Sequence, residues 1–328
     1  MLQQTRVETV VPYFERFMAR FPTALALAEA PEDQVLSAWS GLGYYRRARM
    51  LHAGARVVAE REAIPGDREG LLALPGVGRY TAGAIASIAF GERVGLVDGN
   101  VARVFARLFA IDEDMRRSGL KRAERVAEEL VPAHAPGDWN QALMELGATV
   151  CTPRAPACDR CPVAASCRAR AEDRVAALPV LGEKKKPTAQ RVQALVARAK
   201  DGRVLLARRR SSGLFGGLWE PPSMDGDESA RDALLERFGI ASASASGQVT
   251  HVLSHRRLTV DVHAGVLTRA PDGARLPPVY EAAELFDAPA LEALGVSTLA
   301  RKVLAAADPG PLFRRAGPGG DRRVRRST

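Results

Sequence analysis

The sequence has no run of eighteen or more apolar residues, and its first residues lack the order of basic, apolar and small residues that marks a signal peptide. We therefore expect a soluble cytoplasmic protein without a membrane partner. Cysteine is also scarce. All four cysteines lie between Cys151 and Cys167, whereas a disulfide framework in a chain of 328 residues would spread them to close several loops. This distribution excludes the class of proteins held together by disulfides.

The beginning of the chain lacks a helix cap. Apolar side chains recur at spacings of three to five, as on one helix face, at Leu2, Val7, Val10, Val11, Phe14 and Phe17. This pattern predicts a helix from residue 1, yet no capping Ser, Thr, Asp or Asn precedes it. An uncapped first turn is typical of a helix that begins further upstream.

The formal charge of +9 and the pI near 9.8 favour a polyanionic partner. Of this charge, +4 belongs to residues 308–328, which carry six arginines and two aspartates. Their Gly-, Pro- and Arg-rich composition predicts a disordered basic tail. The rest of the chain, with 41 basic and 36 acidic residues, is moderately basic.

Helical periodicity runs from residue 1 to about residue 170, which predicts an all-α first part. Residues 172–190 carry two prolines and three adjacent lysines, the composition of a linker. The second part is predicted to be α+β. Its strands are expected at residues 192–199, 203–209, 250–267 and 274–280, and its helices at 228–239 and 288–307.

The cysteines follow the spacing Cys151-x6-Cys158-x2-Cys161-x5-Cys167. Four thiols this close together predict a metal or cluster site. Only Cys158 and Cys161 form a short knuckle of the kind that zinc sites use in pairs, and four thiolates also suit a [4Fe-4S] cluster. The spacing favours the cluster and leaves zinc as the alternative.

The stretch "LPGVGRYTAGAIASIAF" places Gly76 and Gly78 before an apolar helix. Both glycines permit positive φ and a close approach of the backbone to another molecule, and the helix start offers N–H groups to a phosphate. Taken alone, this is also an ordinary helix-to-helix turn. About twenty residues on, Asp98 precedes a strongly periodic helix, where it can serve as the N-cap.

Together these motifs resemble the endonuclease III superfamily of DNA glycosylases. The resemblance implies a [4Fe-4S] cluster, held by Cys151, Cys158, Cys161 and Cys167 in a loop made basic by Arg154, Arg160, Arg168 and Arg170. It also implies a helix-hairpin-helix that grips a DNA phosphate through Gly76 and Gly78. Asp98 would be the catalytic carboxylate that stabilises positive charge on the deoxyribose, with Asn100 orienting it or a water.

Tyr80 stands where strand-cutting members of the superfamily carry a lysine. A phenol cannot form a Schiff base, so water is the expected nucleophile and the enzyme is expected to be monofunctional. Tyrosine here, with "MLQQTRVETVVPYFERF", "WSGLGYYRRARMLH" and "NQALMELGATVC", is similar to the adenine DNA glycosylases of the MutY type. In these enzymes of base excision repair, residues at the positions of Gln4 and Tyr44 probe the base stack, and the residue at Gln141 bonds the extruded adenine.

The region from about Arg191 to Ala307 resembles a Nudix fold. Only Glu236 remains of the three glutamates in the usual ending of its helix, so we expect no Nudix hydrolase activity. In adenine glycosylases this domain recognises 8-oxoguanine through a loop ending F-S-H. Leucine replaces the phenylalanine here, while Ser254 and His255 keep the polar groups that can read a base edge.

The predicted fold class is multidomain, an all-α helix-hairpin-helix glycosylase domain with an iron–sulfur cluster loop followed by an α+β Nudix-like domain. The expected boundaries are 1–92 for the incomplete helix-hairpin-helix domain, 93–171 for the cluster domain, 172–190 for the linker, 191–307 for the Nudix-like domain and 308–328 for the tail. The expected substrate is double-stranded DNA with adenine opposite 8-oxoguanine or guanine. We expect a monomer at the bacterial chromosome.

Two alternatives stay open: an endonuclease III-like glycosylase and AP lyase, and a lesion-binding protein without catalysis. The first is disfavoured by Tyr80 and by the Nudix-like domain. The second gains weight because the family's general acid is a glutamate two positions before the methionine that is Met1 here, and Glu8, two helical turns further on, does not replace it. Three explanations compete: an internal methionine taken as the start, a fragment, and an inactivated protein. The uncapped helix and the intact remaining motifs favour the first, so we expect that Met1 is an internal methionine.

The 328-residue chain is therefore expected to bind duplex DNA with adenine opposite 8-oxoguanine but to release adenine slowly. Adding Glu-Val before Met1 is expected to accelerate release by about 10²- to 10⁴-fold, the usual contribution of a general acid or base. Single-turnover assays of adenine release measure both rates. Equal rates would contradict the assignment of proton transfer to the upstream glutamate.

Overall fold

The computed structural model describes residues 1, 5, 7–183, 186–269 and 272–307, with the side chains of Ala274 and Glu292 excepted. The predicted tail of residues 308–328 lies outside this range. The chain forms two compact units: Ala53–Lys184 is one, and Met1–His52 with Lys185–Thr328 is the other. The domain boundaries expected from the sequence stay predictions.

Helices occupy the first part of the described chain, as predicted. They are α1 (Val7–Arg20), α2 (Ala24–Glu29), α3 (Glu32–Ala38), α4 (Arg46–Arg61), α5 (Arg68–Leu72), α6 (Arg79–Phe90), α7 (Gly99–Leu108), α8 (Ser118–Leu130), α9 (Pro136–Glu145) and α10 (Arg168–Ala171). A π-helical turn, Leu146–Val150, leads from α9 to the first cysteine. No helix among the described residues has the length and apolar character needed to cross a membrane.

Helix α1 begins at Val7, so the prediction of a helix from residue 1 is wrong. The guanidinium group of Arg47 donates to the carbonyl oxygen of Met1 at 2.8 Å and to Thr5 Oγ1 at 3.2 Å. A helix that started at residue 1 would direct the Met1 carbonyl to the N–H of residue 5. In the structure this carbonyl accepts from Arg47, and Thr5 lies in a bend outside any helix.

Helix α7 lies at the centre of the core of the unit Ala53–Lys184. Its apolar face packs against α8 and α9, in a cluster of the buried residues Leu96, Val101, Val104, Phe105, Ala106, Ile111, Met115, Ala123, Ala127 and Leu143. Burial of this face holds α7 in place. Both ends of α7 carry residues of the candidate site.

The second unit contains a single mixed sheet in its described part. Its strands are β1 (Thr188–Arg198), β2 (Val204–Arg209), β3 (Trp219–Glu220), β4 (Ser223–Asp225), β5 (Ala243–Val252), β6 (Arg256–Val266) and β7 (Tyr280–Phe286). The order is β3-β2-β1-β6-β5, with β4 paired to β1 and β7 to β2. Strands β1 and β6 pair in parallel, and the other pairs are antiparallel.

Three helices accompany the sheet: α11 (Glu228–Phe238), α12 (Ala288–Ala293) and α13 (Thr298–Ala307). Successive side chains of a strand point to opposite faces. Along β1, Val192 and Val196 therefore join a core cluster with residues of α13, while Leu195 joins another with residues of α11. Both faces of the central strand are buried, which explains its continuous apolar run.

Two strands begin at residues other than those predicted from the sequence. Residues 274–280 do not form the expected strand, because Pro277 and Pro278 have no N–H to donate, and β7 begins only at Tyr280. Strand β5 begins at Ala243, in the small and polar stretch "ASASGQ", rather than at residue 250. Pairing with β6 makes this stretch a strand without any alternation in its own sequence.

Candidate active site and cysteine-lined cavity

The turn before α6 opens its backbone to the outside. Gly76 has a φ of +79°, as the sequence allows, while Gly78 has a φ of −93° and so does not use its freedom. Among the described residues, no atom beyond the chain neighbours of Gly78 lies within 4 Å of the place that its Cβ would take, and no side chain caps α6. A helix start with uncapped N–H groups in open space suits an anion such as a phosphate.

Asp98 is the N-cap of α7, as the sequence predicts. Its Oδ1 accepts from the backbone N–H groups of Asn100 at 2.8 Å and Val101 at 2.7 Å. Within the described part of the chain, its Oδ2 accepts from the side-chain Nδ2 of Asn100 alone, at 3.3 Å. The half-buried carboxylate is thus held by two short bonds at Oδ1 and one longer bond at Oδ2, and Oδ2 keeps the capacity to face a positive charge.

Tyr80 lies within electrostatic reach of this carboxylate. Burial raises the pKa of the Tyr80 phenol, and the negative charge of Asp98 raises it further, so the phenol stays protonated at neutral pH. Its hydroxyl lies 3.3 Å from the sulfur of Met144 on α9. Gln141 lies one turn before Met144 and is exposed, and its Nε2 bonds weakly to the Gly137 carbonyl at 3.3 Å. The structure therefore brings the predicted residues Tyr80, Asp98 and Asn100 together, with the helix of Gln141 beside them.

Two buried arginines on α7 connect Asp98 to the cysteines, and sequence reasoning missed both. The Arg103 Nη2 donates to Asn100 Oδ1 at 3.0 Å and to the Gly147 carbonyl at 2.7 Å, and its Nε donates to the Cys151 carbonyl at 2.7 Å. Arg107, one turn on, donates from Nη1 to the Cys151 sulfur at 3.4 Å. Their one sequence signal is a pair of charges, four residues apart, on a helix with strong apolar periodicity.

All four cysteines line one cavity that is partly open to solvent. Its other lining residues are Arg107, Val150, Pro156, Ala164, Arg170 and Val175. None of the four thiols forms a disulfide, and the Arg107 guanidinium donates to the sulfur of Cys151. No group of three or more potential ligands close enough to hold a metal ion is found among the described residues. Four thiols around one cavity are the donor set of a group held by four thiolates.

The four arginines expected around the cysteines, Arg154, Arg160, Arg168 and Arg170, are all exposed. Arg170 pairs with Asp159 at 3.2 Å, and Arg168 pairs with Glu172 at 3.5 Å. These pairs lie in water and contribute little stability. The loop therefore presents basic side chains to solvent, as a surface for a polyanion would.

The remaining predicted residues belong to the other unit or lie outside the description. Tyr44 is 52% exposed, in the turn between α3 and α4. Ser254 and His255 are exposed in the hairpin turn between β5 and β6, where the backbone N–H of Leu253 donates to the carbonyl of residue 256. Gln4 lies outside the described residues. On α11, Glu236 is exposed, and no other glutamate occupies the places of the Nudix metal ligands.

Models of two protein families match the two parts of the chain. Residues 1–133 match the model of the HhH-GPD superfamily base excision DNA repair proteins, and residues 193–306 match that of the NUDIX domain. The chain is 39% identical to the adenine DNA glycosylase of Rattus norvegicus over 84% of its own length and 65% of the relative. It is 35% identical to the adenine DNA glycosylase of Schizosaccharomyces pombe, over 80% of its length and 70% of the relative.

The chain spans between 50% and 65% of the length of the mammalian and plant relatives that it matches. A solved structure of endonuclease III trapped in a covalent intermediate with DNA is 26% identical, with a TM-score of 0.46 over 52% of this chain and 81% of that one.

The cap at Asp98 can be separated from its charge by substitution. Asp98→Ala is expected to lower the free energy of unfolding by about 0.5–2 kcal/mol, the usual cost of losing an N-cap side chain. Asp98→Asn is expected to cost much less, because the amide oxygen can still accept from the N–H groups of Asn100 and Val101. Urea denaturation followed by circular dichroism measures both.

Asp67, the N-cap of α5, provides a matched control, since its Oδ1 accepts from the Gly70 N–H at 2.8 Å. Asp67→Ala and Asp67→Asn should show the same order of costs. Equal losses for Asp98→Ala and Asp98→Asn would mean that the charge, rather than the cap, stabilises α7.

Proposed function

The chain belongs to the adenine DNA glycosylase family, and on that premise we propose that it hydrolyses the N-glycosidic bond of adenine mispaired with 8-oxoguanine or guanine in double-stranded DNA. The observation that carries the proposal is the carboxylate of Asp98. It is fixed at the start of α7, with one oxygen directed away from the helix N–H groups. We also propose that the protein acts as a monomer on chromosomal DNA.

Asp98 would act on the sugar. Breaking the bond to adenine builds positive charge on the deoxyribose, and a carboxylate that is already in position stabilises this charge without reorganisation. The Nδ2 group of Asn100 holds Oδ2 from one side. This bond keeps the carboxylate oriented between turnovers.

Water would complete the reaction, since the residue beside Asp98 is Tyr80, which carries a phenol rather than an amine. The phenol of Tyr80 stays protonated next to Asp98, and it cannot form the Schiff base that precedes strand cleavage. A lyase reaction is therefore not part of the proposal. Tyr80 and Met144 would instead form a wall of the adenine pocket, with Gln141 available to bond the base edge.

The DNA contacts divide into phosphate contacts and base contacts. The open turn at Gly76 and Gly78 would receive a backbone phosphate, which positions the duplex without reading its sequence. The exposed side chains of Ser254 and His255 would read the 8-oxoguanine, and Tyr44 would probe the base stack.

The cysteine-lined cavity would hold a [4Fe-4S] cluster through Cys151, Cys158, Cys161 and Cys167. When bound, the cluster supplies four metal–thiolate bonds that shape the loop, a structural role rather than a chemical one. Arg107 would neutralise part of the thiolate charge, and it ties the loop to α7 through the Thr152 carbonyl at 2.8 Å.

The function is tested first by binding and release. We expect duplex DNA with adenine opposite 8-oxoguanine to bind about tenfold or more tightly than the same duplex with adenine opposite thymine. Asp98→Asn is expected to keep this preference but to lower single-turnover adenine release by about 10²-fold, because the negative charge is gone. Asp67→Asn, the same change at a cap outside the site, is expected to alter neither quantity. Equal binding of the two duplexes, or undiminished release by Asp98→Asn, would contradict the proposal.

The cluster is tested by metal analysis of the purified chain. We expect a brown protein with about four irons per chain. Cys158→Ser should lose iron and colour, while Ser166→Ala, a change of similar size within the same loop, should retain both. A colourless protein with one zinc per chain would refute the cluster and support the zinc alternative.

A further inference from the structure

The turn between α3 and α4 has an unusual backbone. Gly41, Gly43 and Tyr44 have φ values of +103°, +70° and +50°. A tyrosine in this left-handed region costs on the order of 1 kcal/mol or more, and such strain persists only where the surroundings impose it. The turn therefore needs external support to hold its shape.

Part of the support comes from the helices on either side. The indole Nε1 of Trp39 donates to the Gly43 carbonyl at 3.2 Å, and Arg47 Nη2 donates to the same oxygen at 3.3 Å. The hydroxyl of Tyr13 lies at the place that a Cβ at Gly41 would take, and the φ of +103° also favours glycine there. These contacts fix the middle of the turn.

The rest of the support comes from residues about 250 positions further along the chain, in the same compact unit. Tyr45 is 6% exposed, and its hydroxyl donates to the Val296 carbonyl at 3.0 Å while accepting from the Gly41 N–H at 3.2 Å. The Ser40 hydroxyl donates to the same carbonyl at 3.1 Å and accepts from Arg301 Nη2 at 3.2 Å. One backbone carbonyl thus holds both ends of the turn.

Val296 is itself attached to the sheet. Trp219 on β3 donates its backbone N–H to the Gly295 carbonyl at 3.0 Å and pairs with Val296 in a parallel bridge. Gly295 packs so closely on α3 that an added Cβ would lie 2.8 Å from the Cβ of Leu36. The sheet and the turn of residues 40–45 are therefore tightly packed together through Gly295 and Val296, a contact that we call the Val296 joint.

The turn held by the Val296 joint exposes Tyr44 to solvent. Its ring is half exposed, and the guanidinium carbon of Arg47 lies 5.3 Å from the ring centroid. An exposed aromatic ring beside a cation suits stacking on nucleic-acid bases. Tyr45, by contrast, is buried and cannot touch DNA.

We propose that Tyr45 is a positioning residue for Tyr44: through the Val296 carbonyl, the sheet-bearing region sets the angle at which Tyr44 enters the base stack. The inference rests on the proposed function and deepens it. The region that carries Ser254 and His255 then also controls the aromatic probe. Recognition of the damaged base and probing of the stack share one support.

The test is a double-mutant cycle. Tyr45→Phe removes the hydroxyl and keeps the ring, and we expect it to weaken binding to duplex with adenine opposite 8-oxoguanine by about fivefold, the effect of one hydrogen bond. In a Tyr44→Ala background the same change is expected to have less than about a twofold effect, because the group that Tyr45 positions is gone. The fluorescence of 2-aminopurine beside the mispair, which reports unstacking, should fall in parallel.

Tyr280→Phe is the matched control. It removes another buried phenol of the same unit, one that donates to Glu220 Oε1 at 2.7 Å, so it costs stability without touching the turn. We expect it to leave binding and 2-aminopurine fluorescence unchanged. An equal effect of Tyr45→Phe with and without Tyr44, or no effect at all, would overturn the inference.

Hydrogen exchange of the free protein separates this inference from the proposed function. Tyr45→Phe is expected to speed amide exchange in residues 40–45, and Tyr280→Phe is not. Unchanged exchange in Tyr45→Phe would contradict the claim that the bond to the Val296 carbonyl supports the turn, whatever the protein binds. A chain that binds both duplexes equally, yet shows the faster exchange, would contradict the proposed function and leave the joint supported.

Discussion

Two buried guanidinium groups on α7 need hydrogen-bond acceptors, and the shape of the cysteine loop depends on that need. A buried charge without partners costs several kcal/mol, so the chain around Arg103 and Arg107 must supply oxygen atoms. It does so with backbone carbonyls that are distant in sequence, at Gly147, Cys151, Thr152, Pro153, Val175 and Leu178. The loop is therefore shaped by α7 as well as by whatever its thiols bind.

The same constraint settles the orientation of the candidate catalytic carboxylate. Because Arg103 has only donors, it fixes the oxygen of the Asn100 amide towards itself. The amide nitrogen must then point the other way, towards Asp98 Oδ2. Together with the two backbone N–H groups on Oδ1, this leaves Asp98 with one arrangement. A charge held in this way is preorganised for a cation that forms later.

The sequence predicts those features whose signals are local. An aspartate before a periodic helix predicts the cap at Asp98, and the spacing of the cysteines predicts that they line one cavity. The carbonyl groups that accept from Arg103 and Arg107 lie up to 71 residues away along the sequence, and no local sequence pattern predicts them. Strand β5 begins earlier in the chain than its own residues predict for the same reason, since its first part is defined by pairing with β6.

The Val296 carbonyl also accepts bonds from residues distant in sequence, but from neutral donors, and under the proposed function this difference matters because DNA is a polyanion. Phosphates compete for arginine and lysine, and salt screens ion pairs at the surface. Hydrogen bonds from the Tyr45 and Ser40 hydroxyls to a carbonyl carry no net charge and are directional. Under the proposed function, DNA phosphates would compete for Arg47 and Arg301, which also donate to this turn. The bonds from the Tyr45 and Ser40 hydroxyls would then keep the orientation of Tyr44.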